Sequence, residues 1–298
     1  MKIDFYVRFK TIYGQSLAVT GNLLSLGKND PSKALPLQFL NEDFWFISIE
    51  VDPAEHDTLH YHYLFRNEHD DVMQDGEKDR VIALGKKDTT HLVLIDNWNY
   101  AGAPENAFFS APFREVYLSQ KSAPRQKKPK SYTHSFHVKA PLLKSSEVVC
   151  LVGAGPALAS WNVDKPVLLE RAGDWWTTKV DLADAAFPLT YKYGIFNVKK
   201  NEFVGYETGD NRSLFEPPAR SLTTLHDGFV RLPNTGWKGA GIAIPVFALR
   251  SAGSFGVGEF TDLRLLADWA VETEMKLIQL LPINDTSATF TAQDSYPY

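Results

Sequence analysis

Apolar and polar positions alternate with period two along much of the first 118 residues of the chain. The segments IDFYVRF, FWFISIEV and LHYHYLF show this alternation, which is typical of half-buried β-strands. Stretches rich in Gly, Asn, Asp and Pro separate the segments, and these residues favour turns. Because no helical periodicity lies between them, residues 1–118 are predicted to form an antiparallel β-sandwich.

A basic, proline-containing stretch, SQKSAPRQKKPKS, follows at residues 119–131. Apart from its prolines it has no apolar residue other than Ala123. It has two interpretations, an arm that binds anions or a solvated linker between domains. We interpret it as a linker, because a run of charges without apolar positions is usually solvated.

The pattern of the first sandwich returns after the linker. FWFISIEV corresponds to WWTTKVDL, YHYLF corresponds to YKYGIF, and the loops that end in KDR and DNR also correspond. The paired positions, Trp45 with Trp176, His62 with Lys192 and Arg80 with Arg212, are 131, 130 and 132 residues apart. The register therefore holds over the whole unit, and residues 132–215 are predicted to be a second, duplicated sandwich of the immunoglobulin-like type.

A different pattern begins after a second connector with paired prolines, residues 216–237. AGIAIPVFAL is a continuous apolar run, as expected of a buried parallel strand. FTDLRLLADWAVETEM has apolar residues at helical spacing, with Thr261 as a candidate N-cap, and KLIQLLPIN is a second buried strand. Residues 238–298 therefore predict one βαβ unit.

Composition narrows the function classes. The net charge of −5 and the pI near 5.9 argue against nucleic acid as a partner, and 13% aromatic residues favour ligands with flat faces. Cys150 is the only cysteine, so no intramolecular disulfide can form, and its apolar surroundings indicate a buried hydrophobic residue. With no signal-peptide core and no apolar segment long enough for a membrane span, we expect a cytoplasmic protein that binds no membrane.

Two patterns imitate cofactor and metal sites. VVCLVGAGPALA carries Gly153 and Gly155 after an apolar run, but Leu158 stands where a dinucleotide-binding fingerprint needs its third glycine. His60 and His62 share one face of a strand, without cysteines or a clear carboxylate partner. We therefore expect neither a cofactor nor a metal, and a nucleotide-dependent enzyme is disfavoured.

In the second copy, four separated motifs arrive in order: LASWN, WWTTKVDL, YKYGIF and YETGDNRS. Together they resemble the starch-binding carbohydrate modules of amylases and glucanotransferases. The resemblance implies that Trp161 and Tyr206, the latter where the family usually has tryptophan, are flat platforms for glucose rings. It also implies that Lys192 and Asn211 lie nearby, with Trp176 at a second, looser site. Two alternatives stay open: Trp161 as a packed turn residue and Trp176 as part of the core.

The first copy departs from the family pattern at the corresponding positions. Asn29 stands at the position of Trp161, His62 at that of Lys192 and Gln74 at that of Tyr206. The apolar positions that determine the fold remain, whereas the flat rings are missing. We expect the first module to keep its sandwich and to lack this glucan site.

The last residues resemble a second family. GWKGAGIAIPVFALRSAGSFGVGEFTDL, QLLPINDT and DSYPY are similar to the amylomaltase family of 4-α-glucanotransferases, particularly the disproportionating type with two starch-binding modules before its catalytic domain. The resemblance implies that residues 238–298 begin a (β/α)8 barrel. It also implies a substrate subsite, whose residues would be Tyr298, Ser295, Asp294, Asn284 and Asp285. For Asn284 and Asp285, capping of a strand end is an equal alternative.

The resemblance implies a 4-α-glucanotransferase that transfers sugar between α-1,4-glucans with retention, through a carboxylate nucleophile and a carboxylic acid. In the family these carboxylates come from later strands, so we expect no catalytic residue in this chain and an inactive amino-terminal fragment. The expected partners are starch, glycogen and maltooligosaccharides. The alternative is a non-catalytic scaffold that binds glycogen or starch.

Overall fold

The structure is a computed structural model that includes side chains. It describes residues 1–53, 56–77, 80–84, 89–118, 129, 131–232 and 237–281. The chain divides into two compact units, residues 1–235 and 236–298.

Nine strands form the first sandwich. They are β1 (Lys2–Arg8), β2 (Ser16–Gly21), β3 (Leu35–Pro36), β4 (Gln38–Phe39), β5 (Phe44–Glu50), β6 (Thr58–Arg66), β7 (Val72–Gln74), β8 (Val81–Ala83) and β9 (His91–Asn97). One sheet has the order β3-β2-β6-β7, with β8 also paired to β6, and the other contains β4, β5, β1 and β9.

Nine further strands repeat this arrangement. They are β10 (His134–Lys139), β11 (Glu147–Gly153), β12 (Val167–Leu168), β13 (Glu170–Ala172), β14 (Trp175–Val180), β15 (Leu189–Asn197), β16 (Glu202–Tyr206), β17 (Arg212–Leu214) and β18 (Leu222–Phe229). Each strand from β10 to β18 takes the place that the strand nine positions earlier takes in the first sandwich. The predicted duplication and the two β-sandwiches are confirmed.

Short helical turns connect the strands of both sandwiches. The 3-10 turns are Leu24–Asn29, Pro31–Lys33, Pro104–Phe109 and Pro156–Trp161, and a π-helical turn spans Pro112–Tyr117.

The two sandwiches share one continuous sheet of eight strands, in the order β13-β14-β10-β18-β9-β1-β5-β4. At its centre β9 pairs with β18 in parallel, from Leu92 opposite Leu222 to Asp96 opposite His226. The two modules are predicted from the sequence as antiparallel sandwiches joined in tandem. In the structure they are joined by this parallel strand pair, and the pairs β1–β9 and β10–β18 are parallel as well.

Strand β9 contributes to both hydrophobic cores. Leu92 and Leu94 lie in the core of the first sandwich, whereas Val93 and Ile95, on the opposite face of the strand, lie in the core of the second. This explains why HLVLIDN is continuously apolar at its centre: a strand buried on both faces has no polar alternation.

The connector predicted at residues 216–237 is wrong for part of its length, because β18 lies within it and pairs with β10. The second sandwich therefore extends past residue 215. The strand was hard to recognise because Thr223, Thr224, His226 and Asp227 are buried polar residues rather than apolar ones. The predicted linker at 119–131 lies almost entirely outside the described residues.

Each sandwich contains the same buried polar cluster. In the first, the hydroxyls of Tyr61 and Tyr63 donate to Asp96 Oδ2 over 2.9 and 2.5 Å. In the second, Tyr191 and Tyr193 donate to Oδ2 of Asp227, both over 2.9 Å. A buried carboxylate is tolerated when its oxygens are hydrogen-bonded, as these are. The arginines of the repeat, Arg80 and Arg212, lie over the rings of Tyr63 and Tyr193.

An ion pair of Arg8 and a hydrogen bond of His226 cross from one sandwich to the other. Arg8 Nη1 lies 2.8 Å from Asp227 Oδ1, and His226 Nδ1 lies 2.6 Å from Asp96 Oδ1. The Asp227 carboxylate in the cluster of the second sandwich is thus paired with Arg8 of the first sandwich. Conversely, the Asp96 carboxylate in the cluster of the first sandwich is hydrogen-bonded to the imidazole of His226 of the second sandwich. The shared sheet, the shared cores and these contacts make residues 1–235 one unit.

The second unit contains β19 (Gly241–Ile244), a 3-10 turn at Val246–Ala248, α1 (Asp262–Glu272) and β20 (Leu277–Leu280). Strands β19 and β20 are parallel, which confirms the predicted βαβ unit. Thr261 is the N-cap residue but makes no side-chain capping hydrogen bond; instead Asp262 accepts from the backbone N–H of Glu259 over 2.8 Å.

Candidate functional site

The turn that carries Trp161 has an unusual backbone. It follows the end of β11, and Ala159, Ser160 and Trp161 have φ angles of +61°, +48° and +63°. Consecutive non-glycine residues with positive φ are uncommon and mark a position held by its surroundings. The fully buried Leu158 anchors the turn, and a Cβ added at Gly153 would lie 2.7 Å from the Thr190 carbonyl oxygen. The Trp161 side chain is half-buried.

The first sandwich keeps the same turn without the ring. Gly27, Lys28 and Asn29 have φ angles of +75°, +51° and +63°, and Leu26 is fully buried like Leu158. Asn29 therefore occupies the backbone position of Trp161. The fold conserves the turn, and the two copies differ in the side chain that it presents.

Tyr206 and Lys192 come from the neighbouring strands β16 and β15. Tyr206 pairs with Gly194, remains 39% exposed, and packs edge-on against Phe203 at 4.8 Å between ring centroids. Lys192 lies half-buried on β15, and its Nζ donates to the Gly209 carbonyl over 2.6 Å. Lys192 is thereby attached to the loop that follows Tyr206.

The strand register places two of the four candidate residues, Lys192 and Tyr206, on neighbouring strands of the same sheet, whereas Trp161 lies in a 3-10 turn. Lys192 pairs with Val152 near the end of β11, the strand that precedes this turn. Asn211 is exposed at the end of the loop after Tyr206, immediately before β17. In the first sandwich, Gln74 pairs with Leu64 just as Tyr206 pairs with Gly194.

Glu207 fixes the loop between Tyr206 and Asn211. Its side chain is buried and accepts from Arg212 Nε and Nη2, both over 2.8 Å, and from Arg231 Nε over 3.2 Å. Burial raises the pKa of this carboxyl, but the hydrogen bonds and charge of Arg212 outweigh burial and lower the pKa to about 2. The loop is therefore tied down by a carboxylate that stays ionised.

Acid is expected to weaken the protein through this carboxylate. The pKa of Glu207 falls from 4.5 to about 2 on folding, so its stabilisation is complete above pH 4.5 and disappears as the pH falls through 2. At about 1.4 kcal/mol per pKa unit, the loss over this range is about 3 kcal/mol. Chemical denaturation between pH 5 and pH 2 measures it.

The Glu207→Gln variant is the matched control, because it keeps the size of the side chain and removes the titration. It should be less stable than the wild type near neutral pH and should lose less stability between pH 4.5 and 2. Equal slopes for the two proteins in this range would contradict the assignment.

Trp176 is part of the core. Its ring is 4% exposed and packs among the apolar residues of the second sandwich, so the second-site role is wrong for this structure and the core alternative holds. Its neighbour Trp175, on the opposite face of β14, is also buried, with its ring 5.2 Å from that of His226. Both indoles are buried, one on each face of β14, so neither is free to stack on a ligand.

The five residues of the barrel subsite lie outside the described residues. These are Tyr298, Ser295, Asp294, Asn284 and Asp285. Among the described residues, no group of three or more His, Cys, Asp or Glu could hold a metal ion. None of the helices in the described part of the chain is long and apolar enough to span a membrane.

A groove that is lined by residues of both sandwiches, Asn211 among them, was not predicted from the sequence. From the first sandwich the groove is lined by residues such as Lys10, Asp43 and Phe44. These positions belong to one copy and Asn211 to the other, so no motif within a single copy could indicate it. The only available signal was the conserved spacing of the two copies, which does not reveal how they are joined.

Two family models match the chain. The starch binding domain matches twice, at residues 1–93 and 133–225, and 4-alpha-glucanotransferase matches at residues 244–298. The starch binding domain alone covers more than half of the chain, and its two matches coincide with the two sandwiches.

Similar proteins agree with these models. 4-alpha-glucanotransferase DPE2 of Oryza sativa subsp. japonica is 33% identical over 99% of this chain and 32% of its own length. The 4-alpha-glucanotransferase of Chlamydia caviae is 41% identical over 20% of this chain and 10% of its own length. The chain thus spans about a third of the rice relative and a tenth of the chlamydial one.

Among solved structures, the family 20 carbohydrate-binding module of the maltotetraose-forming amylase from Pseudomonas saccharophila STB07 matches with 18% identity. The match covers 31% of this chain and 97% of that one, with a TM-score of 0.26. On the two matches of the family model, the chain belongs to the starch binding domain family, with two copies followed by a segment that matches 4-alpha-glucanotransferases.

Proposed function

We propose that the second sandwich binds α-1,4-glucans through Trp161, Tyr206, Lys192 and Asn211. The observation that carries this proposal is the side chain at this turn: both sandwiches keep the same left-handed turn, but the second presents the half-buried ring of Trp161 where the first presents Asn29. The neighbouring Leu158 is fully buried and anchors the turn to the core, so the indole is not needed for that task.

The chemistry of the four side chains suits a glucan. A glucose ring has apolar C–H faces and a polar rim, so flat aromatic rings can cover a face while donors and acceptors bind the hydroxyls. Tyr206 provides a phenol ring that is 39% exposed, and Asn211 provides an exposed amide at the end of the loop that follows Tyr206. Lys192 donates to the Gly209 carbonyl and so places an ammonium group at the same loop.

The expected affinity is modest. A hydrogen bond to a charged donor contributes about 1.5–3 kcal/mol, and association has its own free-energy cost. One such site is expected to give a Kd of about 10 μM to 1 mM. This range suits attachment of an enzyme to a long polymer, where many weak sites are available along one chain.

We also propose that these modules serve a 4-α-glucanotransferase acting on starch, glycogen or maltooligosaccharides. The rice relative with this name aligns with nearly the whole chain, and the βαβ unit lies in the region of the enzyme family match. In that reaction a glycosyl group is transferred with retention from a covalent intermediate to the 4-hydroxyl of another glucan. We assign no catalytic residue within these 298 residues.

A cytoplasmic location remains our proposal. Cys150, the only cysteine, is buried in the second core, and burial raises the pKa of its thiol to about 12. A thiol of this kind is rarely the reactive thiolate, and the chain uses no disulfide for stability. This is consistent with a reducing compartment.

Retention of the chain in a native gel that contains glycogen tests the binding site. The wild-type chain should be retarded relative to a gel without glycogen, and Trp161→Ala should lose most of this retardation. Removal of a central aromatic side chain typically costs 2 kcal/mol or more, which corresponds to a loss of affinity of about thirtyfold.

Asn29→Ala is the matched control, since Asn29 occupies the same backbone position in the first sandwich. It should be retarded like the wild type. Equal retardation of Trp161→Ala and Asn29→Ala would contradict the proposed site, and a wild type that glycogen does not retard would contradict glucan binding itself.

A further inference from the structure

A groove of about 530 Å³ runs between the two sandwiches. One wall comes from the first sandwich, with Phe9, Lys10 and Phe44, and the other comes from residues 210–213 of the second sandwich, where β17 begins. The volume lies within the usual range of ligand sites, about 300–1,000 Å³. Because both walls belong to residues 1–235, the groove is part of a single compact unit.

One ion pair and two hydrogen bonds join the sandwiches at the groove, through Arg8 and Asn97, which both line it. Arg8 Nη1 pairs with Asp227 at 2.8 Å, and its Nη2 donates to the Ser213 carbonyl over 3.1 Å. Asn97 Nδ2 donates to the backbone carbonyl of Asp227 over 2.9 Å. These contacts cross the junction, so the two walls are fixed relative to each other.

The charges at the groove balance. Four cationic side chains line it, namely Arg8, Lys10, Arg212 and Arg231. Asp43 and Asp210 also line it, and the two buried carboxylates Asp227 and Glu207 pair with the arginines beneath. Four positive and four negative groups favour a neutral polar ligand over a phosphate or another anion, which would find no net positive field.

Three groups remain available to such a ligand. Asn211 is exposed at one end of the groove, and Lys10 and Asp43 have side chains 80% and 69% exposed on the other wall. Lys10 and Asp43 contact each other only loosely, at 3.9 Å, and an exposed pair of this kind is worth little. Phe44 is half-buried and also lines the groove, where it provides apolar surface.

We propose that this groove continues the glucan site: a linear α-1,4-glucan held at Trp161 and Tyr206 passes Asn211 and meets Lys10 and Asp43 of the first sandwich. The inference rests on the proposed function, because Asn211 belongs to both the site and the groove. The first sandwich then contributes to binding at the junction, away from the turn where its aromatic residue is missing. A neutral chain of hydroxyl-rich rings matches the balanced charges, the exposed donors and acceptors, and the phenylalanine surface.

The test compares linear maltoheptaose with β-cyclodextrin, using the 298-residue chain and isothermal titration calorimetry. Both sugars have seven glucose units, but the closed ring cannot extend from Tyr206 into the groove. Lys10→Ala combined with Asp43→Ala should weaken maltoheptaose binding about three- to tenfold, the effect of losing one or two hydrogen bonds. Binding of β-cyclodextrin should be unchanged, and Glu42→Ala, an exposed neighbour outside the groove, should affect neither sugar.

The outcomes separate this inference from the proposed function. Loss of maltoheptaose affinity alone supports the groove. If Trp161→Ala weakens both sugars while the double variant behaves like Glu42→Ala, the groove is overturned and the proposed function stands. If Trp161→Ala weakens the binding of neither sugar, the proposed function is contradicted, and the groove, which rests on it, is contradicted as well.

The NMR chemical shifts of the Asn97 side-chain amide give a second measurement. Maltoheptaose should change these shifts and β-cyclodextrin should not, and equal changes with both sugars would count against the groove.

Discussion

Asp227→Ala should lower the free energy of unfolding of residues 1–235 by about 3–5 kcal/mol, as expected when one partner of a buried ion pair is removed. The carboxylate is fully buried and accepts from Tyr191, Tyr193 and Arg8. Its loss leaves the Arg8 guanidinium, whose side chain is only 21% exposed, without its counter-charge, and two buried hydroxyls without an acceptor. Each of these three unpaired groups lowers the stability of the folded state.

Thermal and chemical denaturation followed by tryptophan fluorescence measure this effect. For a unit of this size, 3–5 kcal/mol corresponds to a melting temperature lower by about 10 °C. Asp210→Ala is the control, because Asp210 is exposed in the same sandwich, and it should melt like the wild type. If Asp227→Ala also melts within about 2 °C of the wild type, the buried cluster does not hold the junction.

The Asp227 cluster also shows how far the sequence could predict the fold. Period-two alternation and a constant offset identify two sandwiches, because half-buried strands alternate and a duplication keeps its spacing. The same offset relates Asp96 to Asp227 and the two tyrosine pairs to each other, 131 and 130 residues apart. The residues of the cluster could thus be aligned, but their burial could not, since charged residues are usually exposed.

What the sequence could not predict lies at the junction. In strand β18 two adjacent threonines and the adjacent residues His226 and Asp227 are buried, so its sequence has the polar pattern of a connector. Its partner β9 is apolar on both faces because each face belongs to a different core, and alternation gives no sign of this. For the same reason Trp176 was equally compatible with a ligand platform and with the core: its exposure depends on the sheet that surrounds it.

The candidate site shows the opposite case. Motifs within one copy sufficed to name Trp161, Lys192, Tyr206 and Asn211, and their role in binding stays a prediction. The structure places Lys192 and Tyr206 on neighbouring strands, with Lys192 Nζ bonded to the loop that leads to Asn211. The part of the site that depends on the other sandwich, the groove at Lys10 and Asp43, required the three-dimensional arrangement.

Lys139→Met tests whether the two sandwiches unfold together. Lys139 Nζ of the second sandwich donates to Glu77 Oε1 of the first over 2.8 Å, and both side chains are buried. The ammonium also lies 4.7 Å from the ring of Trp175, a contact that methionine can replace in part. The single variant leaves Glu77 as an uncompensated buried charge, so we expect a loss of about 3–5 kcal/mol in the free energy of unfolding.

A double-mutant cycle isolates the pair. Adding Glu77→Gln to Lys139→Met removes the uncompensated charge and should recover about half of the lost stability, because replacing both partners of a buried pair is far less costly than removing one. Lys144→Met is the control, since Lys144 is 82% exposed and 3.7 Å from Glu147. In all variants residues 1–235 should unfold in one transition, because the shared sheet leaves no separate first sandwich. Two transitions within residues 1–235 of the wild type, or equal losses in the single and double variants, would contradict the coupling of the two sandwiches.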